Sequence, residues 1–183
     1  MKGLQKFTDK ILLDRSRAGD SSAFAVLFHR YVSKVYRFIF FRIKEKDLVD
    51  DLTNEVFLRI WQQIQAEKKI DNFQAYIYKI TRNLIVDHYR QRREQVDIDK
   101  VEHLIDETQD LLSGINLDSE VADLLKKIEY LRDDYKEILL MRYVEDLTIA
   151  EIADILDKSP GAVKVMTHRA IKKLKEIYDD QDN

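Results

Sequence analysis

Thr148 to Leu174 reads TIAEIADILDKSPGAVKVMTHRAIKKL, and the punctuation of this stretch decides the fold of the C-terminal part of the chain. Thr148-Ile149-Ala150-Glu151 has the spacing of a capping box, in which the threonine hydroxyl and the glutamate carboxylate each satisfy a free amide at a helix start. A short helix to Leu156 is predicted. Asp157-Lys158-Ser159 then makes a tight turn. Ser159 as N-cap and Pro160 at the first helical position open another helix, because a missing N–H and a preset φ cost nothing there. Two short helices joined by a three-residue turn form a helix-turn-helix, whose second helix carries its N-terminal residues to base edges in the major groove.

Val163, Ala170, Ile171, Leu174 and Ile177 supply the buried side of that second helix. Lys164, His168 and Lys172 recur at steps of four, and Val165, Arg169 and Lys173 form the adjoining row, so the face turned from the core is basic. Each feature alone fits a solvated helix in an ordinary bundle. Capping box, cap-proline turn and basic outer face together favour DNA binding.

Outward from this stretch, composition extends the helical reading to the whole chain. The 183 residues are 45% hydrophobic and 36% charged, enough apolar material for a core, and only four glycines and one proline interrupt them. Sheet-rich folds need many more turn residues between strands, so an all-α chain is expected. Cysteine is absent, which excludes a disulfide framework and thiolate metal sites. No apolar stretch has the length of a signal peptide or a membrane span, so the cytoplasm is the expected compartment and no membrane insertion is expected.

The formal net charge of −3 sits awkwardly with DNA binding by the chain alone, but the charges are unevenly distributed. From 82 to 93, Arg82, Arg90, Arg92 and Arg93 outnumber Asp87. From 94 to 117, Glu94, Asp97, Asp99, Glu102, Asp106, Glu107 and Asp110 face the single base Lys100. From 160 to 178, Lys164, Arg169, Lys172, Lys173 and Lys175 outnumber Glu176. Basic, acidic and basic segments alternate.

Upstream, a helix from about Asp9 to Ala18 ends at Gly19, and Asp20 caps the next, in which Phe24, Leu27, Phe28, Tyr31, Val35, Tyr36 and Ile39 form an apolar stripe. Asp47 caps a predicted third helix with Leu48, Leu52, Val56, Ile60 and Ile64 inward and a polar second face. A polar loop, 66–72, leads to a fourth helix from about Phe73 to Arg93, burying Tyr76, Ile77, Ile80 and Leu84. Residues 94–117 keep no sustained period and read as a flexible acidic linker with at most one short helix. From Asp118 the helical period returns: Val121, Leu124, Leu125, Ile128 and Leu131, then Tyr135, Ile138, Leu139 and Tyr143. Two small helical domains are expected, 1–93 and 118–183, the second carrying the helix-turn-helix.

At this point the residues resemble a family. Tyr135 to Leu174, YKEILLMRYVEDLTIAEIADILDKSPGAVKVMTHRAIKKL, is similar to the domain with which extracytoplasmic-function sigma factors read the promoter −35 element. DLTNEVFLRIW (51–61) resembles the polymerase-binding helix of that family, and FQAYIYKITRNLIVDHYRQRR (73–93) resembles its −10 reading helix. The resemblance implies a transcription initiation factor of sigma regions 2 and 4, with no enzymatic activity. Its partners would be core RNA polymerase, through the clamp helices of the largest subunit and the flap, then promoter DNA and an anti-sigma factor.

Residue by residue, the resemblance places polymerase docking on Asp51, Asn54, Glu55, Arg59 and Gln62; without it, an exposed helix face is the better reading. Capture of a flipped −10 base falls to Lys69, Asp71, Asn72 and Phe73, with Asn83 and Asp87 at the family's Asn-x-x-x-Asp spacing. Extruding a base loses stacking, which polar edges and a snug pocket must replace. Arg82, Arg90, Arg92 and Arg93 would position phosphates. Ser159, Lys164, His168, Arg169, Lys172 and Lys173 carry over as −35 contacts. Val165 and Met166 stand where the family commonly has Ser-Arg, so one bidentate guanine reader is lost. Asp146 and Asp157 occupy turn positions where the family often has glycine, and aspartate tolerates the left-handed geometry better than most residues.

Other chemistry finds little support. His29, His88, His103 and His168 lie far apart with no metal-binding spacing, and no glycine-rich loop cradles phosphates, so neither metal, cofactor nor small-molecule substrate is expected. A stand-alone dimeric helix-turn-helix regulator is the main rival, but it needs excess positive charge and a dimer seam, whereas this chain is net acidic and shows no heptad repeat. A purely structural helical adaptor leaves both basic segments unexplained.

Overall fold

Gly19 and Asp20 turn the first corner of the chain. In the computed structural model, which describes residues 7–43, 45–95, 127–128 and 130–181, α1 (Asp9–Arg17) ends at Ala18, and Gly19 takes φ +90°, a conformation open to glycine without steric cost. The Asp20 carboxylate then accepts from the amides of Ser22 and Ala23 at 3.0 and 3.2 Å and opens α2 (Ser21–Phe40). α3 (Lys46–Gln65) and α4 (Phe73–Gln95) complete the helices of the first of two units, Met1–Ile98 and Asp99–Asn183. The described residues of the second unit hold α5 (Asp133–Leu139), one π-helical turn (Leu140–Val144), α6 (Ile149–Leu156) and α7 (Pro160–Gln181). No strand occurs among the described residues, and none of their helices is long and apolar enough to cross a membrane. Of the predicted linker, 96–117 lies outside the described residues, as do Val121, Leu124 and Leu125.

α2 is the centre of the first unit. Its aromatic rings pair outward along its length: Phe24 with Trp61 (4.9 Å between centroids) and Phe28 with Phe57 (4.6 Å) join α3, while Tyr31 with Phe73 (5.1 Å) and Phe38 with Tyr78 (5.3 Å) join α4. Tilted and edge-on pairs of this kind add about 0.5–1.5 kcal/mol each to the burial of their area. Leu27, Val35 and Ile39 fill the space between them. Asp9 of α1 receives hydrogen bonds from Arg30 and Tyr31, which fixes α1 across α2.

Two predicted details of α3 need correction. Its N-cap is Glu45, without a side-chain cap bond, and Asp47 lies inside the first turn, where its charge still suits the positive end of the helix. Its inward row is Val49, Thr53, Val56, Phe57, Ile60 and Ile64, so Leu48 and Leu52 stand at the margin. Thr53 can face the core because its hydroxyl donates to the Val49 carbonyl at 2.7 Å. In α4, Ile77 and Leu84 are buried as predicted, together with Tyr78, Thr81 and Ile85, whereas Tyr76 and Ile80 lie half-buried.

In the second unit, α7 packs against both α5 and α6. Ile138, Leu139, Leu140, Met141, Leu147, Ile152, Ile155, Val163 and Ala170 make its core. The π turn, closed by the Glu145 amide on the Leu140 carbonyl at 3.0 Å, inserts an extra residue and rotates the pattern. Tyr143, predicted inward on an unbroken period, is consequently 55% exposed, and Leu140 and Met141 are buried in its stead. The chain leaves this turn through Asp146 at φ 54°, and Arg142 fastens the corner by donating to the Leu147 carbonyl at 3.0 Å.

Candidate nucleic-acid interface

The helix-turn-helix is built from local bonds that the sequence specifies. The Thr148 amide donates to Glu151 Oε2 at 2.6 Å, and the Glu151 amide donates to Thr148 Oγ1 at 3.2 Å, closing the capping box at the head of α6. Asp157 ends the helix at φ 53°, which lets the Lys158 amide reach the Ala153 carbonyl at 2.9 Å. Ser159 Oγ accepts from the Ala162 amide at 3.2 Å and caps α7. That bond uses the oxygen as acceptor, and a serine hydroxyl retains a proton to donate to a phosphate.

α7 divides cleanly into two sides. Val163, Thr167 and Ala170 are buried, with Met166, Ile171, Leu174 and Ile177 half-buried beside them. Lys164, Val165, His168, Arg169, Lys172 and Lys173 are all exposed. Lys173 pairs with Glu176 at 3.0 Å, whereas Lys164, Arg169 and Lys172 have no acidic partner among the described residues. An exposed cation without a carboxylate neighbour keeps its charge available for a phosphate or a base edge.

The first unit presents two further faces. On α4, Asn83, Asp87 and Arg90 are exposed along one row and Arg82 is half-buried, and the exposed Val86 lies among them; the side chains of Arg92 and Arg93 lie outside the described residues. At the head of α4, Asn72 Oδ1 accepts from the Ala75 amide at 3.0 Å and acts as N-cap. Lys69 and Asp71 point outward and pair with each other at 3.2 Å. Phe73 departs from expectation: it is 3% exposed and packed on Tyr31, so it anchors the loop to the core and offers no ring to a base in this conformation.

The loop 66–72 has supports that its sequence did not reveal. Glu67 takes φ 53°, allowing the Lys68 amide to close the end of α3 on the Gln63 carbonyl at 3.0 Å. Arg17, on α1, donates from Nη2 to the Lys68 carbonyl at 2.8 Å. Ile70 is buried, and Leu13 and Arg17 line a hollow with Ile70 and Asp71. α1 therefore buttresses the loop.

On α3, Asp51, Asn54, Arg59 and Gln62 are exposed and Glu55 is half-buried, and Arg59 bonds Glu55 at 2.7 Å one turn away. Such a pair adds only a few tenths of a kcal/mol to an exposed helix. Leu58, 51% exposed, sits in the middle of this polar face. An apolar centre within a polar rim is how protein-docking faces are commonly composed. Nearby, burial and then the negative charge of Asp50 raise the Tyr36 phenol above its ordinary value. Among the described residues no three His, Asp or Glu side chains converge to hold a metal ion.

Comparison with known proteins gives a consistent set of relatives. Residues 27–95 match the family model for sigma-70 region 2, and residues 122–174 match that for sigma-70, region 4. The chain is 31% identical over 178 residues to the ECF RNA polymerase sigma factor BldN of Streptomyces coelicolor, an alignment covering 92% of this chain and 65% of that one. It is 26% identical over 174 residues to the ECF RNA polymerase sigma factor SigW of Bacillus subtilis (90% and 93% covered) and 27% identical over 177 residues to the ECF RNA polymerase sigma-E factor of Escherichia coli K12 (91% and 92%). Among solved structures, the fold is shared with CnrH in complex with the cytosolic domain of CnrY, at TM-score 0.67 and 24% identity over 94% of this chain and 97% of that one. It is shared too with the sigma factor RpoE of Bartonella quintana, crystallised with the anti-sigma factor NepR, at TM-score 0.65 and 20% identity over 85% and 96% of the two chains.

Proposed function

This chain belongs to the extracytoplasmic-function sigma factors of the sigma-70 family, which direct RNA polymerase in transcription initiation, and on that premise we propose that its two units read the two elements of a promoter only after docking on core polymerase. α7 reads the −35 element from the major groove. Lys164, His168, Arg169 and Lys172 supply donors there, while Ser159 and Lys173 add contacts to the backbone. The loop 66–72 and α4 read the −10 element on a separated strand, with Lys69, Asp71 and Asn72 at the captured base, Asn83 and Asp87 on the row beside it, and Arg82, Arg90, Arg92 and Arg93 on phosphates. α3 docks on the clamp helices of the largest subunit through Asp51, Asn54, Glu55, Arg59 and Gln62.

The observation that carries this reading is the two-sided character of α7, with buried Val163, Thr167 and Ala170 opposite a continuous exposed basic row. Polymerase dependence rests on charge. A net charge of −3 departs from the basic surface of a chain that holds DNA by itself, and supports a reading in which the polymerase supplies most phosphate contacts. The flap of the polymerase is the remaining docking partner proposed for the second unit. An anti-sigma factor is proposed as the partner that competes for these faces, as the Bartonella RpoE is held in complex with the anti-sigma factor NepR.

The test is run-off transcription with purified core polymerase on a library randomised upstream of the start site. The expected result is transcription that requires this chain and recovers two separated sequence elements. Transcripts that arise equally without the chain, or that share no element, overturn the proposal.

A further inference from the structure

Val165 is an apolar side chain in a place where the fold gives it nothing to do. It is 50% exposed on α7, and at 3.6 residues per turn it stands about 200° round the helix from the buried Val163, directly away from the core. On the same count, Lys172 stands at about 180° and His168 at about 140°, so Val165 is ringed by the exposed basic row. β-branched residues lose side-chain freedom in helices, and an exposed one gains no packing in return. Position 161 adds to the picture. Gly161 is helical and lies at about 160° on the same outward side. A Cβ built there would meet only Ser159 Oγ at 4.0 Å, so the fold has room for a side chain at 161 and the chain has none. No side chain at 161 therefore stands one turn ahead of Val165 on that outward side, in the part of a recognition helix that enters the groove most deeply.

We propose that Val165 selects the −35 element by packing against the C5 methyl of a thymine in the major groove. The inference rests on the −35 reading of α7 and names the ligand chemistry of one position within it. Of the groups presented on the major-groove floor, the thymine methyl is the apolar one, and the remaining edges are hydrogen-bond donors or acceptors. Valine has no donor or acceptor, so it can reward only that methyl. The surrounding cations hold the helix against phosphate at the distance such a contact requires, and their charge commits the face to nucleic acid. Serine, the residue common at this position in the family that the sequence resembles, would instead offer a hydroxyl.

Deoxyuridine differs from thymidine only by the absence of that methyl, which makes the test direct. Holoenzyme assembled from core polymerase and the full chain is titrated with a promoter recovered from a randomised library. Each thymine of its upstream element, on either strand, is replaced in turn by deoxyuridine. One replacement is expected to weaken wild-type binding about fourfold, the effect of returning one methyl to water. Val165→Ala is expected to bind the thymine promoter at that weakened level and to be indifferent to the replacement. Alanine is a better helix former than valine, so loss of fold does not confuse the result. The proposal is overturned if no thymine responds in the wild type, if Val165→Ala responds as the wild type does, or if the recovered element holds no thymine on either strand. Scrambling the upstream element separates the two levels of the argument. A scrambled element that binds as well as the original removes the −35 reading itself, whereas sensitivity to scrambling without sensitivity to deoxyuridine removes only the role of Val165.

Discussion

Asp157 holds φ 53° between α6 and α7, Asp146 holds φ 54° before α6, and Glu67 holds φ 53° at the end of α3. Asp157 was legible because a tight turn had to part the two helices there, Asp146 through the family resemblance, which puts a turn at its position, and aspartate tolerates left-handed backbone at both. Glu67 was not, since glutamate carries no such signal and only the closure of α3 on Gln63 demands it. A left-handed residue with a Cβ costs about 1–2 kcal/mol, less for aspartate. Asp157→Val is therefore expected to lower the stability of the second unit by about 1–2 kcal/mol in urea denaturation, and Glu67→Gly to raise that of the first by about 0.5–1 kcal/mol, after the greater freedom of unfolded glycine is subtracted. Thr148→Ala removes the acceptor of the capping box and should cost about 1 kcal/mol by the same measurement.

Asp20 gives a pH prediction at the same scale. The Arg15 guanidinium bonded to its carboxylate, aided by the Ala23 and Ser22 amides, holds its pKa below the ordinary 3.8. A carboxylate depressed in the folded state stabilises the fold above its unfolded pKa, and that contribution is lost as pH falls below 3.8 and through the folded value. Asp20→Asn should accordingly lose less stability than the wild type between pH 4 and pH 2 (approximate bounds of that window), as followed by helical circular dichroism.

At the scale of the element, what could be read in advance divides along a physical line. Caps and turns act within five residues, so Asp20, the Thr148-Glu151 box, Ser159 and Pro160 announced α2, α6 and α7. The rotation of a helix about its axis depends on its neighbours. Leu48-Val49, Leu52-Thr53 and Phe57-Leu58 each offer two candidates for the core, and packing of Phe57 on Phe28 and Trp61 on Phe24 selects the second, second and first. The same choice turns Leu58 outward into the polar face of α3. Within the docking proposal, Leu58→Ala should weaken core-polymerase binding about fivefold in a surface-binding assay, the worth of burying half a leucine. Glu55→Arg combined with Asn54→Ala should abolish it with helicity intact. Unaltered affinity in both variants would remove α3 from the interface.

Arg17 is the clearest contact between elements that no sequence pattern announced, because its partner is a backbone carbonyl fifty-one positions away. Its role predicts a separable effect. Arg17→Ala should speed hydrogen exchange of the amides between 67 and 72 and weaken open-complex formation, while core-polymerase affinity stays within twofold (about 0.4 kcal/mol). Exchange rates in that loop equal to those of the wild type would show that α1 does not support it.

For the molecule as a whole, the arrangement of charge is the feature that organises function. Two basic segments flank an acidic one, and the whole chain carries a net charge of −3. Under the proposed function, this distribution keeps the free chain from holding DNA until polymerase adds its own cationic surface. Replacing Asp97, Asp99, Glu102, Asp106, Glu107 and Asp110 by their amides should then raise the affinity of the free chain for DNA, and an unchanged affinity would count against any such role for the acidic segment. The fold class, the two-domain order and the helix-turn-helix were all legible, because periodicity and capping are written locally. The inward placement of Phe73 and the outward placement of Leu58 were not, because only packing decides them.

The central claim, that promoter recognition by this chain depends on polymerase, is tested most directly by electrophoretic mobility shift at physiological salt on a promoter recovered from the transcription library. A specific shift is expected when core polymerase and the chain are both present, and none with the chain alone at micromolar concentration. A specific shift by the free chain, unaffected by adding core polymerase, would contradict it and restore the stand-alone regulator.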